Sequence, residues 1–422
     1  YKPLLADYRT VIVDEAHKLP EAARQMFGKN LSMDDIREMA YYLEREHQKE
    51  ETRILRTVVG DALRVVGTEQ RIGKGIRETF QNTTNSVVSL WEGVEMLEFL
   101  LEKLERSVPM WIRNRLEEAK DVLECFCSSD EKYVRYLRLD TEQIPVLCAA
   151  SREIPGLLRK MLWDREEGVS AILTSGTLKA GTGFLRTRQT TGLEERTGVQ
   201  EYVAESPFSY EKNCLLYLPK TLEHCRRGSR EEAVMVANHI HSLICSTYGH
   251  TLVLFTSYTL MGSVYQILRD SLPFPMVEVW RHSQEEILRF KTMENAVLFA
   301  AGSCWEGVDF PGDMVSSLII VKLPFVVPDP ISEAEKETYE SLEDYIQAII
   351  VPDMQKKLRQ GFGRAIRTET DTCVVSILDF RAVKGGKYHE DVMCALPPCP
   401  IAEELGEVQD FIRSRKGVEY YL

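Results

Sequence analysis

No apolar run in this 422-residue chain approaches the roughly 20 residues that a membrane-spanning helix needs. Positive charge is also short. Fifty-two Lys and Arg stand against 65 Asp and Glu, net −13, which excludes a generally basic nucleic-acid coat but leaves room for a local groove of Lys and Arg. The ten cysteines lack zinc or iron–sulfur spacing: Cys125 and Cys127 form a C-x-C, and no second close pair follows. They are expected to be reduced thiols, many buried as small hydrophobes, in a cytoplasmic protein. A G-x-x-x-x-G-K-[ST] phosphate loop occurs nowhere. Neither an initiator Met nor a signal peptide opens the Tyr1-Lys2-Pro3 start, which is the start expected of a piece of a longer protein. The length is too great for one core, so about two to three domains are expected.

Proline is nearly absent from 31 to 144, with Pro109 the exception. There Val87, Leu90, Val94, Leu97, Leu101 and Leu104 step by three or four, and the run Ile54 to Val66 repeats the pattern. This spacing predicts several long amphipathic helices packed as an all-helical insert over 31–145. Trp91 and Trp111 are expected in its core. Before the insert, Val11-Ile12-Val13 reads as a buried strand, and residues 169–175 read as a second. After Ser206-Pro207-Phe208 a strand–helix alternation begins, with strands expected at 214–218, 251–255, 276–280, 296–301, 317–322 and 373–378. Ser229 with Glu232 and Ser283 with Glu286 read as capping boxes. The rhythm predicts an α/β fold with a doubly wound parallel sheet.

The chemistry concentrates where these strands end. Val-Ile-Val runs into Asp14, Glu15, Ala16 and His17, delivering two carboxylates to a sheet edge where phosphates bind. Asp14 can hold Mg²⁺, directly or through water, and Glu15 can orient and deprotonate an attacking water. A helix N-cap is the plainer reading of the same residues. Near the other end stand Gln360-Gly361-Phe362-Gly363-Arg364-Ala365-Ile366-Arg367. Arg364 and Arg367 are three apart, so on a helix they would share one face and suit phosphate oxygens as arginine fingers. Gly361 and Gly363 would let another backbone or a nucleotide approach.

Residues 300–312 put a Gly-rich loop with Trp305, Glu306, Gly307 and Asp309 after an apolar strand, a position suited to relaying between nucleotide and polymer. Thr256, Ser257 and Tyr258 end another strand, where hydroxyls could meet phosphates and the ring a base, or simply cap a helix. Ser175 and Thr177 are small hydroxyls beside the acidic strand, either capping or sensing a γ-phosphate. His239 and His241 are two apart and face different ways on a helix, which does not suit a metal pair.

Together these segments resemble superfamily 2 DNA helicases of the DinG and XPD type. Val11 to His17 looks like motif II in DEAH form, and Thr174-Ser175-Gly176-Thr177-Leu178 like motif III. Leu254 to Tyr258 looks like motif IV, Trp305 to Phe310 like motif V, and Gln360 to Arg367 like motif VI. Ser206-Pro207-Phe208 resembles the entry into the second motor domain. Five motifs in the family's order are a specific signal. The resemblance implies RecA-like doubly wound parallel sheets, one partial and one complete. Residues 1–30 and 146–200 would belong to motor domain 1, 31–145 to a helical Arch-like insert, and 201–422 to motor domain 2.

It further implies ATP and Mg²⁺ as cofactors, 5′-to-3′ movement on single-stranded or forked DNA in repair or replication, and a monomer with no membrane partner. Asp14 would bind Mg²⁺, Glu15 activate water, and Arg364 and Arg367 act as fingers. Gln360 would be catalytic with them; His17, Ser175, Thr177, Glu306, Gly307, Asp309 and Gly363 would couple to ATP, while Thr256, Ser257, Tyr258 and Trp305 would meet DNA. The family's phosphate loop, and in many members the four cysteines of a [4Fe–4S] cluster, lie upstream of motif II. The loop's absence here implies weak ATP binding by residues 1–422 alone. A non-catalytic helicase-like binding module is the competing reading.

Overall fold

A computed structural model of the chain describes residues 9–421 except 74, 105, 106, 129, 165–169, 181, 182, 221, 223, 281–283, 306 and 311. Two of the sequence expectations, Glu306 and the capping role of Ser283, lie outside the described residues. The chain divides into two compact units. The first comprises residues 1–174, 187–197 and 327–345, and the second comprises 175–186, 198–326 and 346–422.

In the first unit, β1 (Thr10–Val13) pairs in parallel with β6 (Ser170–Leu173), Val13 beside Leu173. Both strands were expected to be buried. Instead Ile12 is 66 % and Ile172 54 % exposed. Two paired strands send their side chains above and below the ribbon, so burying them takes a covering layer on each face. The helices Met33–Arg45, Lys49–Glu69, Thr84–Lys103 and Met110–Cys127 surround one core that includes Leu43, Leu63, Leu97 and Leu123. The segment Lys49–Glu69 passes through a π-helical turn at Leu55–Val59, which keeps Leu55, Val59, Ala62, Leu63 and Val66 on the buried side.

This region is not purely helical. An antiparallel sheet in the order β2-β5-β4-β3 packs with it, formed by β2 (Lys29–Leu31), β3 (Glu78–Thr79), β4 (Tyr133–Leu139) and β5 (Pro145–Ser151). The β4–β5 hairpin turns at Asp140, whose Oδ1 accepts from Ile144 N at 2.8 Å. Trp91 and Trp111 are also corrected: each is 47 % exposed. Leu90, Gly93, Val94 and Leu97 take the buried face of their helix, so Trp91 projects outward. Residues 327–345 complete the unit: Asp329 receives Arg77 Nη1 at 3.0 Å, and Arg152 donates to the Ala334 carbonyl at 3.4 Å.

The second unit is built on seven parallel strands in the order β13-β7-β12-β11-β8-β10-β9. They are β7 (Cys214–Tyr217), β8 (Thr251–Phe255), β9 (Met276–Val279), β10 (Val297–Ala301), β11 (Ser317–Ile320), β12 (Cys373–Ile377) and β13 (Ile401–Ala402). Four- and five-residue apolar runs rich in Val, Ile and Leu form central strands buried on both faces, as parallel sheets require. One face carries the helices Arg230–Ser246, Tyr258–Leu268 and Leu405–Arg415, and the other carries Val351–Phe362 and His389–Ala395. Ser229 caps its helix through Glu232 N at 3.2 Å. The Glu232 carboxylate does not close the expected box; it accepts from Gly228 N and pairs with Lys322.

Candidate functional site

Within the first unit, β1 and β6 position the acidic turn. Thr174 N donates to the Val13 carbonyl at 2.9 Å, and Ala16 N to the Thr174 carbonyl at 3.0 Å, so the chain turns sharply at Asp14 and Glu15. Glu15 adopts φ 49° and ψ 42°, a left-handed conformation that costs a residue with a Cβ roughly 1–2 kcal/mol. Local bonds hold it there. Glu15 N donates to Asp14 Oδ1 at 2.9 Å, Lys18 N to the Glu15 carbonyl at 2.9 Å, and His17 Nδ1 lies 3.1 Å from Glu15 Oε2.

Both carboxylates face solvent. Among the described residues no group of three or more His, Cys, Asp or Glu is placed to hold a metal ion. One exposed carboxylate of fixed direction at Asp14 fits a Mg²⁺ whose other oxygen ligands are water and phosphate rather than a protein cage.

The second unit holds the guanidinium constellation. The helix Val351–Phe362 stops at Gly363, so Arg364 and Arg367 lie on the following turn and not on one helical face as the spacing predicted. They converge nonetheless. Arg364 Nη1 and Arg367 Nη2 both donate to the Val308 carbonyl, the latter at 3.3 Å. Arg367 Nε lies 2.9 Å from Asp309 Oδ1, an ion pair whose N–H is not aligned on the oxygen. Asp371 fixes this turn by accepting from Arg367 N and Thr368 N, each at 2.8 Å, and from Thr368 Oγ1 at 2.6 Å.

Gly361 lies against Trp305: a Cβ there would stand 2.7 Å from the indole ring. Trp305 itself is 1 % exposed and donates Nε1–H to the Phe255 carbonyl at 3.0 Å. Its ring is core, and a base cannot stack on it in this conformation. Gly307 takes φ 73°, the left-handed region that glycine tolerates, and leads into Val308.

Ser175 and Thr177 also belong to the second unit. Gln360 Nε2 donates to Thr177 Oγ1 at 3.4 Å, and Thr177 N to Ser175 Oγ at 3.2 Å. Arg359, unremarked in the sequence, anchors the same segment: Nη1 donates to the Lys179 carbonyl at 2.8 Å and Nε to the Ala395 carbonyl at 3.0 Å. Burial draws its guanidinium below the ordinary arginine value. Ser257 caps the helix Tyr258–Leu268 through Leu260 N at 3.4 Å, while Thr256 is exposed. Tyr258 stacks on Trp280 at 5.5 Å and donates to the Ala301 carbonyl at 3.2 Å.

The signals for the missed residues are modest. Asp371 follows Thr368 by three, a pattern that caps turns. Nothing in the sequence marks Arg359 apart from its place one residue before Gln360.

Residues 240–399 match the helicase C-terminal domain family. The chain is 28 % identical over 442 residues to the ATP-dependent DNA helicase YoaA of Haemophilus influenzae, covering 98 % of this chain and 66 % of that protein. It is 33 % identical over 270 residues to the ATP-dependent DNA helicase DinG of Photobacterium profundum, covering 61 % and 38 %. Its fold matches the solved structure of S. tokodaii Xpd4 with a TM-score of 0.59 at 18 % identity, covering 93 % of this chain and 75 % of that one. The chain thus spans about two thirds or less of the length of these curated relatives.

Proposed function

We propose, from the premise that this chain is a homologue of the DinG/XPD-type superfamily 2 helicases and carries their helicase C-terminal domain, that it forms the greater part of an ATP-dependent DNA helicase. The observation that carries the reading is the storage of two guanidiniums on one backbone carbonyl, Val308, beside Asp309. A solvated basic patch has no reason to aim two arginines at one uncharged acceptor. Both can exchange that carbonyl for phosphate oxygens, which bind guanidinium more strongly.

Asp14 would hold Mg²⁺, which neutralises phosphate charge when bound. Glu15, locked in its strained turn and braced by His17, would orient the attacking water and take its proton. Arg364 and Arg367 would leave Val308 for the γ-phosphate, freeing the 305–310 segment to respond. Gln360 and Thr177 would carry the same change into the 175–186 segment. Residues 31–145 would serve as the Arch-like insert, with 1–30 and 146–200 in motor domain 1 and 201–422 in motor domain 2. DNA would meet Thr256 and Tyr258. The DinG and XPD likeness supports 5′-to-3′ movement on single-stranded DNA by a monomer in repair or replication. Without a phosphate loop in its sequence, residues 1–422 alone should turn over ATP slowly.

The test is DNA-stimulated ATP hydrolysis by residues 1–422 joined to a phosphate-loop segment taken from a DinG-type relative. Glu15→Gln and Arg364→Ala should each lower turnover by about 10³-fold or more while leaving single-stranded DNA binding in place. Undiminished turnover in both variants would overturn the site assignment. Fast ATP turnover by residues 1–422 alone would overturn the requirement for the loop.

A further inference from the structure

The loops that follow β7 and β12 reverse the charge of the molecule. The chain as a whole has 65 acids against 52 bases. Yet the loop 218–229 holds three Lys or Arg and one acid before Arg230, Glu231 and Glu232 open the next helix, and residues 379–388 hold three and one. That one acid in the second loop, Asp379, is already engaged by Arg381 at 2.7 Å and by Leu323 N at 2.9 Å. β7 and β12 are hydrogen-bonded neighbours running in parallel, so both loops leave the same carboxyl edge of the sheet. A ring contact ties them together: His224 meets Phe380 edge-on at 4.7 Å. Phe380 is nevertheless 41 % exposed, and Arg226, Arg227, Lys384 and Lys387 are all exposed around it. Beside the first loop opens a groove of about 580 Å³ lined by Cys225, Arg230, Glu231, Val234, Asn238 and His239.

We propose that this edge is a track for single-stranded nucleic acid, with Arg226, Arg227, Lys384 and Lys387 on phosphates and Phe380 stacked on a base. The proposal rests on the helicase reading given above and extends the polymer's path beyond the Thr256–Tyr258 corner. Exposed cations interleaved with an exposed aromatic ring are what a sequence-tolerant single-strand surface needs. Position supports it. In the sheet order β7-β12-β11-β8, the loop carrying Phe380 stands two strand spacings, about 10 Å, from the end of β8 that carries Tyr258. One strand crossing the carboxyl edge would reach both. An anionic peptide would use the cations but has no use for the stacking ring.

The experiment titrates a fluorescent oligo-dT with the full chain at several salt concentrations. The triple variant Arg226→Gln, Arg227→Gln, Lys384→Gln should bind more weakly. Its slope of log affinity against log salt should be shallower by about 2, at roughly 0.7 for each phosphate left without its cation. Phe380→Ala should lose about fivefold or more in affinity with the slope unchanged. The charge-preserving triple Arg226→Lys, Arg227→Lys, Lys384→Arg should keep the wild-type slope. Thermal melting checks that each variant folds, and if the triple does not, Arg227→Gln and Lys384→Gln are read singly at about 0.7 each. Wild-type slope and affinity in the glutamine variants would overturn the track and leave the helicase reading standing. No binding of oligo-dT by the wild-type chain even at low salt would overturn both.

Discussion

His250 shows how a single side chain can set the acid tolerance of the second unit. Its ring stacks on Tyr420 at 4.1 Å, and Nε2 lies 3.2 Å from the Tyr420 carbonyl. Burial lowers its pKa below the ordinary 6.5, outweighing the Tyr420 and Asp313 carbonyls that favour the proton. The unfolded chain therefore takes a proton near pH 6.5, while the folded one still refuses it. Where the unfolded state binds more protons, stability falls as pH falls. The stabilisation is intact above about pH 6.5, and it declines below that value until the folded pKa is passed. Urea midpoints measured between pH 7.5 and 5 should show this decline, and His250→Gln should flatten it. An identical pH slope in the variant would remove His250 as the cause. The tryptophans make a second point at this scale. Trp305 reads as a DNA contact and is core, whereas Trp91 and Trp111 read as core and are half exposed. Neither reversal is visible in the sequence, because the deciding partners, the Phe255 carbonyl for Trp305 and the neighbours of Leu90 for Trp91, come from packing.

Among the elements, the fit of the helix Val351–Phe362 against Trp305 is the tightest constraint near the arginines. Gly361→Ala would gain about 1 kcal/mol of helix propensity. Its Cβ, however, would stand 2.7 Å from a buried indole that is hydrogen-bonded in place. Overpacking of that kind costs about 1–3 kcal/mol. A net loss of stability is expected in urea denaturation. Gly93→Ala is the contrast: its Cβ would meet the Leu123 Cδ1 methyl at 2.8 Å, a flexible tip, and Ala62 Cβ at an ordinary 3.8 Å, so this variant should be neutral or stabilised. Equal effects at the two sites would refute the argument.

The same helix shows what could be read beforehand. Strands β7 to β12 were legible within a residue or two, since short apolar runs bounded by polar turns suit a buried parallel strand. The meeting of Arg364 and Arg367 was legible, but its geometry was not. Gly363 ends the helix, and the Val308 carbonyl, which no side-chain pattern encodes, gathers the two groups. The positions of β1 and β6 were legible too. Their burial was not, because burial depends on the layers that cover a strand.

For the whole molecule, the division of the core matters most. The residues packed around Leu63 and Leu97 and those flanking the seven-stranded sheet form separate clusters. Calorimetry should resolve two unfolding transitions, since multi-domain chains depart from two-state behaviour. Leu97→Ala should lower one by about 2–5 kcal/mol and leave the other in place; one transition moving as a whole would contradict this. The interleaving of the units has a consequence for biosynthesis. The first unit lacks residues 327–345 until some 130 residues after its preceding stretch, 187–197, has been translated. At about 5–20 residues per second, the ribosome leaves that gap open for roughly ten seconds. Throughout this interval the growing chain carries Arg77 and Arg152 without the Asp329 carboxylate and Ala334 carbonyl they donate to. Slow codons or a trigger-type holdase would matter most in that window.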